Sequence, residues 1–464
     1  SGLQADLRDY QEEGVHWLLR LERWASGACL ADEMGLGKTV QALALLLHRG
    51  KAGPSIVVLP TSLSDGWASE ATRFAPALRT IVYRGPERAA LLEGLGPNDL
   101  LLCSYEVLVR DLETLSAIEW STTVFDEAHA LKTYRTRRAR AARELRSGFR
   151  LALTGTPLEN HLGELWSLFG ILLPGLLGPW PRFRRRFALP IEEDGNAARR
   201  AGLVRVLSPF LLRRTKAQVA RELPPRTDVI QPVELSADEM ALYEAERRRA
   251  VRELGSAGEE ESGRFAMLAA LMRLRRLACH PALVHPGSTI PSSKLEAFLE
   301  LVTDLHSEGH RALVFSQFTS HLGIVRDALN RRGVQLLYLD GSTPAAHRSE
   351  LVRQWQEGDL PIFLISLKAG GTGLNLTAAD TVIHLDPWWN PATEDQASDR
   401  AHRIGQTLPV TIIRLIARGT IEEKVLALHD EKRDLARGIL EGSESNAKLE
   451  IKDLMALLRT GPNL

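Results

Sequence analysis

The stretch Cys29–Ala42, C-L-A-D-E-M-G-L-G-K-T-V-Q-A, decides how the rest of the chain is read. Small and acidic residues end in Gly35-Leu36-Gly37-Lys38-Thr39 and open into the helical pattern Val40–His48, which is the form of a phosphate cradle. Glycines let the backbone curl until its N–H groups converge, and the helix N-terminus adds positive potential. Lys38 then reaches the outer phosphates and Thr39 offers a hydroxyl to Mg²⁺. Asp32 stands where the pattern G-x-x-x-x-G-K-[ST] has its first glycine. Taken alone, the stretch also fits a glycine-rich turn capping an ordinary core helix.

Working outward, Tyr10–Trp24 has an amphipathic helical pattern. Gln11 on it could pair its amide with both edges of adenine, or could be a solvated glutamine. Downstream, Ser55–Leu59, Thr80–Tyr83, Asp99–Cys103, Thr122–Phe125 and Phe149–Leu153 are continuous apolar runs alternating with helical stretches. Such runs predict buried parallel strands covered on both faces, with function at their carboxyl ends. Val124-Phe125-Asp126-Glu127-Ala128-His129 delivers two adjacent carboxylates at one such end. Asp126 suits Mg²⁺ and Glu127 suits activation of the attacking water. A lone Asp-Glu pair is usually a solvated strand end, and the cradle upstream favours the catalytic role. Thr61, Ser62, Ser104 and the run Leu153–Asn160 fall at other strand ends, where hydroxyls and backbone N–H groups can grip sugar-phosphate without reading bases.

Leu162–Arg214 is largely helical and is expected to protrude from the first lobe, residues 1–221. Its clusters Arg182, Arg184, Arg185, Arg186 and Arg213, Arg214, Lys216 are either solvated faces or contacts to nucleic acid. Glu222-Leu223-Pro224-Pro225-Arg226 opens a linker, 222–236, because neither proline continues a helix. Two helices, Ala237–Arg252 and Phe265–Cys279, form a protrusion within 237–290, divided by a polar loop at 255–263 that is expected to be disordered; Arg273, Arg275 and Arg276 on the second helix read as a solvated face. In the second lobe, 291–419, Arg311–Ser316, Val334–Leu339, Pro361–Ser366, Thr381–Asp386 and Val410–Leu415 predict a second parallel sheet without its own phosphate loop. In Gln396–Gln406, Arg400 and Arg403 are three apart and are expected to share a helix face aimed at a transferring phosphoryl group; the plain alternative is an exposed basic helix paired with Glu394, Asp395 or Asp399.

The chain has 464 residues, which suits two to three domains, and balances 58 Lys and Arg against 58 Asp and Glu. No global field announces a polyanionic partner, so a nucleic-acid surface would have to be local. Three cysteines, Cys29, Cys103 and Cys279, sit in apolar contexts without any C-x-x-C, which predicts reduced, buried thiols and no zinc site. No apolar run reaches membrane-spanning length. Ser1-Gly2 reads as a processing or tag scar, with the natural protein extending upstream.

Twelve motifs in order carry a resemblance: L-R-D-Y-Q, D-E-M-G-L-G-K-T, P-T-S-L, S-Y-E, D-E-A-H, L-T-G-T-P-L-E-N, L-R-R-T-K, V-F-S-Q-F, D-G-S-T, S-L-K-A-G-G-T-G-L-N-L, D-P-W-W-N-P and D-R-A-H-R-I-G-Q. From Leu7 to about Leu458 the chain resembles the ATPase core of the Swi/Snf family of DNA-translocating enzymes, in helicase superfamily two. The resemblance implies an α/β fold of two RecA-like parallel-sheet lobes with helical insertions and a C-terminal brace, residues 420–464. It implies that Gln11 recognises adenine, that the loop with Asp32, Gly35, Gly37, Lys38 and Thr39 holds ATP, and that Thr39 and Asp126 hold Mg²⁺. Glu127 would activate water, with Gly373 near the nucleotide and Gln396, Arg400 and Arg403 completing catalysis. Duplex DNA would touch Thr61, Ser62, Ser104, Gln317, Ser342, Lys368, Gly370, Gly371, Thr372 and Trp388 or Trp389, a tryptophan pair that core packing would explain equally well.

The expected function is therefore an ATP-dependent double-stranded-DNA translocase that remodels protein–DNA complexes, a monomeric core gripping the phosphate backbone, with a DNA-bound protein or RNA polymerase as further partner. Its place would be the cytoplasm, at the nucleoid, in a prokaryote, or the nucleus in a eukaryote. A strand-separating DNA or RNA helicase and a non-hydrolysing DNA- or polymerase-binding scaffold are the alternatives.

Overall fold

The computed structural model describes residues 2–158, 161–219, 223–256, 261–370, 374–427 and 429, and the chain divides at Glu222 and Leu223 into two compact units. In the first, β1 (Gly27–Leu30), β2 (Ser55–Leu59), β3 (Arg79–Val82), β4 (Asp99–Ser104), β5 (Glu119–Phe125), β6 (Arg146–Leu153) and β7 (Leu211–Leu212) form one sheet in the order β3-β4-β2-β5-β6-β1-β7. Every pairing in it is parallel. Alternate residues of a strand face opposite ways: Ile56, Val58, Leu101 and Cys103 enter one buried cluster, and Val57, Leu59, Leu100 and Leu102 enter the other. Both faces are therefore dry, which is why these strands read as unbroken apolar runs. Helices α1 (Asp9–Leu21) and α2 (Lys38–Arg49) cover the second face through Leu18, Leu43 and Leu46, joined by α3 (Ser64–Phe74), while α4 (Leu162–Leu172) covers the first through Leu165, Leu168 and Leu172.

In the second unit, β8 (Arg226–Val233), β9 (Ala312–Ser316), β10 (Leu336–Leu339), β11 (Ile362–Ser366), β12 (Thr381–His384) and β13 (Val410–Ala417) pair in the order β10-β11-β9-β12-β13-β8, again all parallel. Leu313, Phe315, Phe363 and Ile365 pack on one face, and Val314, Ile362, Leu364 and Ile383 on the other. The fold is thus two parallel-sheet lobes with helices. Helices α5 (Ala237–Ser256) and α6 (Glu261–Cys279) pack on each other in a cluster of their own that includes Tyr243, Leu271 and Leu274.

Four sequence expectations are revised. The linker 222–236 contains β8, an eight-residue edge strand in register with all of β13; its outer residues face water, so it lacks the apolar run that marks the inner strands. The stretch 162–214 is not a separate protrusion throughout, because α4 is built into the core and β7 returns to pair with β1. Arg275 is buried at 1% exposure rather than solvated, with its guanidinium over the rings of Phe318, Trp388 and Trp389. The expected helix through Arg400 and Arg403 stops at Ser398. Of the 255–263 loop, residues 257–260 lie outside the described residues, as does the brace beyond 429; residues 421–427 are helical. All three cysteines are buried free thiols. Among the described residues no helix is long and apolar enough to cross a membrane.

Candidate functional site: a phosphate loop and a carboxylate pair on one sheet edge

Because all strands of the first sheet are parallel, the loops after β1, β2, β4 and β5 lie on one side of it. The phosphate loop follows β1. Gly35 and Gly37 take φ of 84° and 74°, a region closed to most side chains, and Gly37 precedes α2 as a cap without a side chain, with no acid in the helix's first turn. A helix N-terminus offers its first N–H groups and positive potential to an anion. Lys38 Nζ donates to the carbonyls of Asp32, 2.7 Å, and Glu33, 3.3 Å.

Asp32 does not face that mouth. It is fully buried, and its carboxylate is gripped by the forked guanidinium of Arg214: Nε donates to Oδ1 at 3.0 Å and Nη2 to Oδ2. The Arg214 N–H donates to the same Oδ1 at 3.1 Å, and Gln41 Nε2 reaches Oδ2 at 3.4 Å. With its acceptor positions taken by protein, the Asp32 carboxylate anchors the loop from beneath and is not presented at its mouth. The L-R-R-T-K cations are likewise turned inward. Arg213 donates to the Gly155 carbonyl at 3.0 Å, and Lys216 meets Glu33 through its N–H, 2.7 Å, and its ammonium, 3.7 Å. Their clustering in sequence left a solvated face and a nucleic-acid contact both open; these partners lie in the unit itself. Arg182, Arg184, Arg185 and Arg186 are exposed, while the interleaved Phe183 and Phe187 are buried.

Gln11 is also committed locally. Its Oε1 accepts from the Arg8 N–H at 3.0 Å, capping α1, and its Nε2 donates to the Leu36 carbonyl at 3.1 Å. In this arrangement it braces the phosphate loop.

Asp126 and Glu127 leave β5. Asp126 Oδ2 accepts from Trp67 Nε1 on α3 and Oδ1 from the Glu127 N–H, both at 2.8 Å. Tyr105 donates its hydroxyl to the Asp126 carbonyl at 2.8 Å. Burial, then the adjacent Glu127 charge, push the Asp126 carboxyl up to about 6. Glu127 is held in the left-handed region at φ 46° and ψ 52°, beside His129 Nδ1 at 3.2 Å. The Thr39 hydroxyl and the Asp126 and Glu127 carboxylates are the kind of oxygen donors that suit Mg²⁺, and Thr39 and Asp126 would be the residues to hold it.

Of the other expected contacts in this unit, Thr61 is exposed and Ser62 half-buried in the turn after β2, while Ser104 is buried and its Oγ accepts from the Val107 N–H at 3.2 Å as a helix cap. In the second unit, Gln317, Ser342, Lys368 and Trp388 follow β9, β10, β11 and β12, again on one side of a parallel sheet. Ser342 and Lys368 are exposed; Gln317 buries its amide nitrogen; Trp388 is half-buried against Arg275. Gly370 ends a short helix after β11, and Gly371, Thr372 and Gly373 lie outside the described residues.

The segment bearing Gln396, Arg400 and Arg403 is fixed from below. Helix α7 (Pro391–Ser398) places Glu394, fully buried, against Arg414 of β13 at 3.0 Å and the Trp388 N–H at 2.7 Å. Asp395 and Asp399 meet Arg226 of β8 at 3.3 and 3.7 Å. The acids expected to form intrahelical pairs are thus engaged from the sheet. Past Ser398 the Arg400 N–H turns to Ala397, and Gln406 Nε2 closes the turn on the Ala379 carbonyl at 2.7 Å. Arg400 is buried and Arg403 half-buried. Sequence reasoning gave Arg214 a different role and did not single out Gln41, Trp67 or Tyr105; the bonds Arg214–Asp32, Trp67–Asp126 and Tyr105–Asp126 join residues 182, 59 and 21 apart, which leave no local signature.

A phosphate loop, an aspartate–glutamate pair at the next functional strand end and a second parallel-sheet lobe together define a helicase-type ATPase core. Comparison with known proteins supplies the family. A family model described as SNF2-related domain matches residues 10–283 and one described as helicase conserved C-terminal domain matches 293–405. The chain belongs to the SNF2-related family. It is 39% identical, over 97% of its length and 50% of the relative's, to "Putative ATP-dependent helicase/translocase YwqA" of Bacillus subtilis. It is 38% identical, over 94% of its length and 50% of the relative's, to "Chromodomain-helicase-DNA-binding protein 1-like" of Mus musculus. A solved structure, the Sulfolobus solfataricus SWI2/SNF2 ATPase core in complex with dsDNA, is 35% identical, covers 95% of this chain and 94% of that one, and has a TM-score of 0.48. The chain spans about half the length of these two curated relatives.

Proposed function

We propose that this chain is the motor of an ATP-dependent double-stranded-DNA translocase, gripping phosphate backbone without separating strands. The observation that supports the hydrolysis is the placing of Lys38, Thr39, Asp126 and Glu127 after the carboxyl ends of β1 and β5, on one side of one parallel sheet. Lys38 and the N-terminus of α2 bind the nucleotide's phosphates and offset their charge. Mg²⁺, held through Thr39 and Asp126, would neutralise charge developing on them. Glu127 orients the attacking water and takes its proton, Trp67 and Tyr105 keep Asp126 and its backbone fixed, and Gln396, Arg400 and Arg403 serve the same turnover.

The DNA reading draws on the exposed Thr61, Ser342 and Lys368 at strand carboxyl ends, positions suited to phosphate contact without base readout. The relative named as a chromodomain-helicase-DNA-binding protein supports the same polymer. ATP turnover measured side by side with duplex DNA, single-stranded DNA and RNA tests it. Duplex should stimulate most, and a fluorescent third strand should be displaced from a triplex; turnover indifferent to duplex would remove DNA as the track.

A further inference from the structure

The geometry points to Arg214 as a positioning residue for nucleotide binding, the hub of a buried lock that does for this phosphate loop what its missing first glycine cannot. The inference rests on reading the Lys38 loop as an ATP site. Arg214 is 8% exposed, and each arm of its guanidinium meets a different piece of the unit. Nε and Nη2 fork onto Asp32 at the entry of the loop. Nη2 also donates to Gln41 Oε1 at 2.9 Å, and Gln41 Nε2 donates to the Gly37 carbonyl at 3.2 Å, at the exit of the loop. Nη1 donates to the Tyr10 carbonyl, and Tyr10 in turn donates its hydroxyl to the Leu36 carbonyl at 3.0 Å. Three points of the loop, Asp32, Leu36 and Gly37, are thereby referred to one cation. Asp32 is also the residue whose carbonyl receives Lys38 Nζ at 2.7 Å.

A glycine at position 32 would let the backbone curl but fix nothing. An aspartate brings a buried charge that persists only when paired and hydrogen-bonded. The pairing makes the curl rigid and ties it to the segment that leaves the unit, since the Ala31 N–H bonds the Leu212 carbonyl at 2.7 Å and the Glu33 N–H bonds the Arg214 carbonyl at 2.9 Å. Gly14 on α1 confirms how closely the lock is fitted: a Cβ there would lie 2.0 Å from Gln41 Oε1 and 2.7 Å from Arg214 Nη2. Lysine cannot substitute for Arg214, because one ammonium cannot hold a planar fork and a third direction at once.

The test uses three variants of the full chain, each assayed for ATP kcat and KM with duplex DNA and Mg²⁺, for ADP affinity and for thermal melting. Arg214→Lys keeps the charge and removes the fork; kcat/KM for ATP and ADP affinity should each fall at least tenfold while melting shifts little. Gly14→Ala alters no hydrogen-bonding group but drives a Cβ into Gln41 and Arg214, so a purely structural role predicts a lower melting temperature with ADP affinity unchanged; the lock predicts weaker ADP binding as well. Asp32→Gly combined with Arg214→Leu restores the glycine and leaves no unpaired buried charge, so its stability does not depend on the pair, and it too should bind ADP at least tenfold more weakly. Wild-type kcat, KM and ADP affinity in folded Gly14→Ala and Asp32→Gly/Arg214→Leu proteins would overturn the inference, as would a loss of melting temperature with unchanged kinetics. A wild-type chain that neither binds nor hydrolyses ATP would instead overturn the functional reading beneath it.

Discussion

Glu127 offers a test in which the sign of the effect is the answer. It is one of two non-glycine described residues with positive φ, pinned there because its N–H caps Asp126 Oδ1 and its carbonyl accepts from Ala130 at 3.0 Å. A left-handed backbone costs a residue with a Cβ about 1–2 kcal/mol. Glycine avoids that cost but loses about 0.4–1 kcal/mol more unfolded-state entropy than alanine. Glu127→Gly and Glu127→Ala both remove the carboxylate, its methylenes and the His129 contact, so their difference isolates the backbone. Glycine should come out ahead by about 0.5–1 kcal/mol, which in a unit of this size is about 1–4 °C in melting temperature. At an ordinary site the order is reversed by a similar amount. Differential scanning of the two proteins, with Glu127→Gln alongside, is the assay. Glu127→Gln keeps shape and strain but not basicity, and turnover should fall by about 10²–10⁴. An alanine variant that melts above the glycine variant would refute stored strain at the Glu127 turn, and near-normal turnover in Glu127→Gln would remove Glu127 from its proposed role.

Three further outcomes are expected. Asp126, pushed up to about 6 by burial and by Glu127, takes up a proton in the folded state at higher pH than when unfolded; its contribution to stability therefore improves as pH falls from about 6 toward the ordinary range near 4. Mg²⁺ needs the ionised form, so the acidic limb of turnover should lie near 6 at low Mg²⁺ and move down as Mg²⁺ is raised, and a limb insensitive to Mg²⁺ would argue against Asp126 as its ligand. Lys294 and Glu422 form an ion pair in which each side chain is 1% exposed, so Lys294→Met alone should cost about 3–5 kcal/mol in guanidinium unfolding, with much of it recovered in Lys294→Met/Glu422→Gln. Arg400→Ala should lower kcat by at least tenfold with ADP affinity nearly unchanged, and equal loss in both would mark a structural role for this buried arginine.

Much of the architecture is determined by local sequence. Inner strands such as Ser55–Leu59 and Ile362–Ser366 are apolar at every position because both faces are buried, so their place along the chain is legible without coordinates. The strand-end position of Asp126-Glu127 and the Gly35–Thr39 loop are legible for the same reason. What only the tertiary structure decided are the pairings between distant segments. β8 is half polar because it is an edge strand, and only its register with β13 marks it as part of the sheet rather than a linker. Arg400 lies past the helix end at Ser398, in a turn that Gln406 ties to Ala379. Arg214 reads as one more surface cation until the chain, 182 residues on from Asp32, brings it beneath the phosphate loop. Periodicity reports which face a residue buries; it carries no record of which far-off charge will be waiting there.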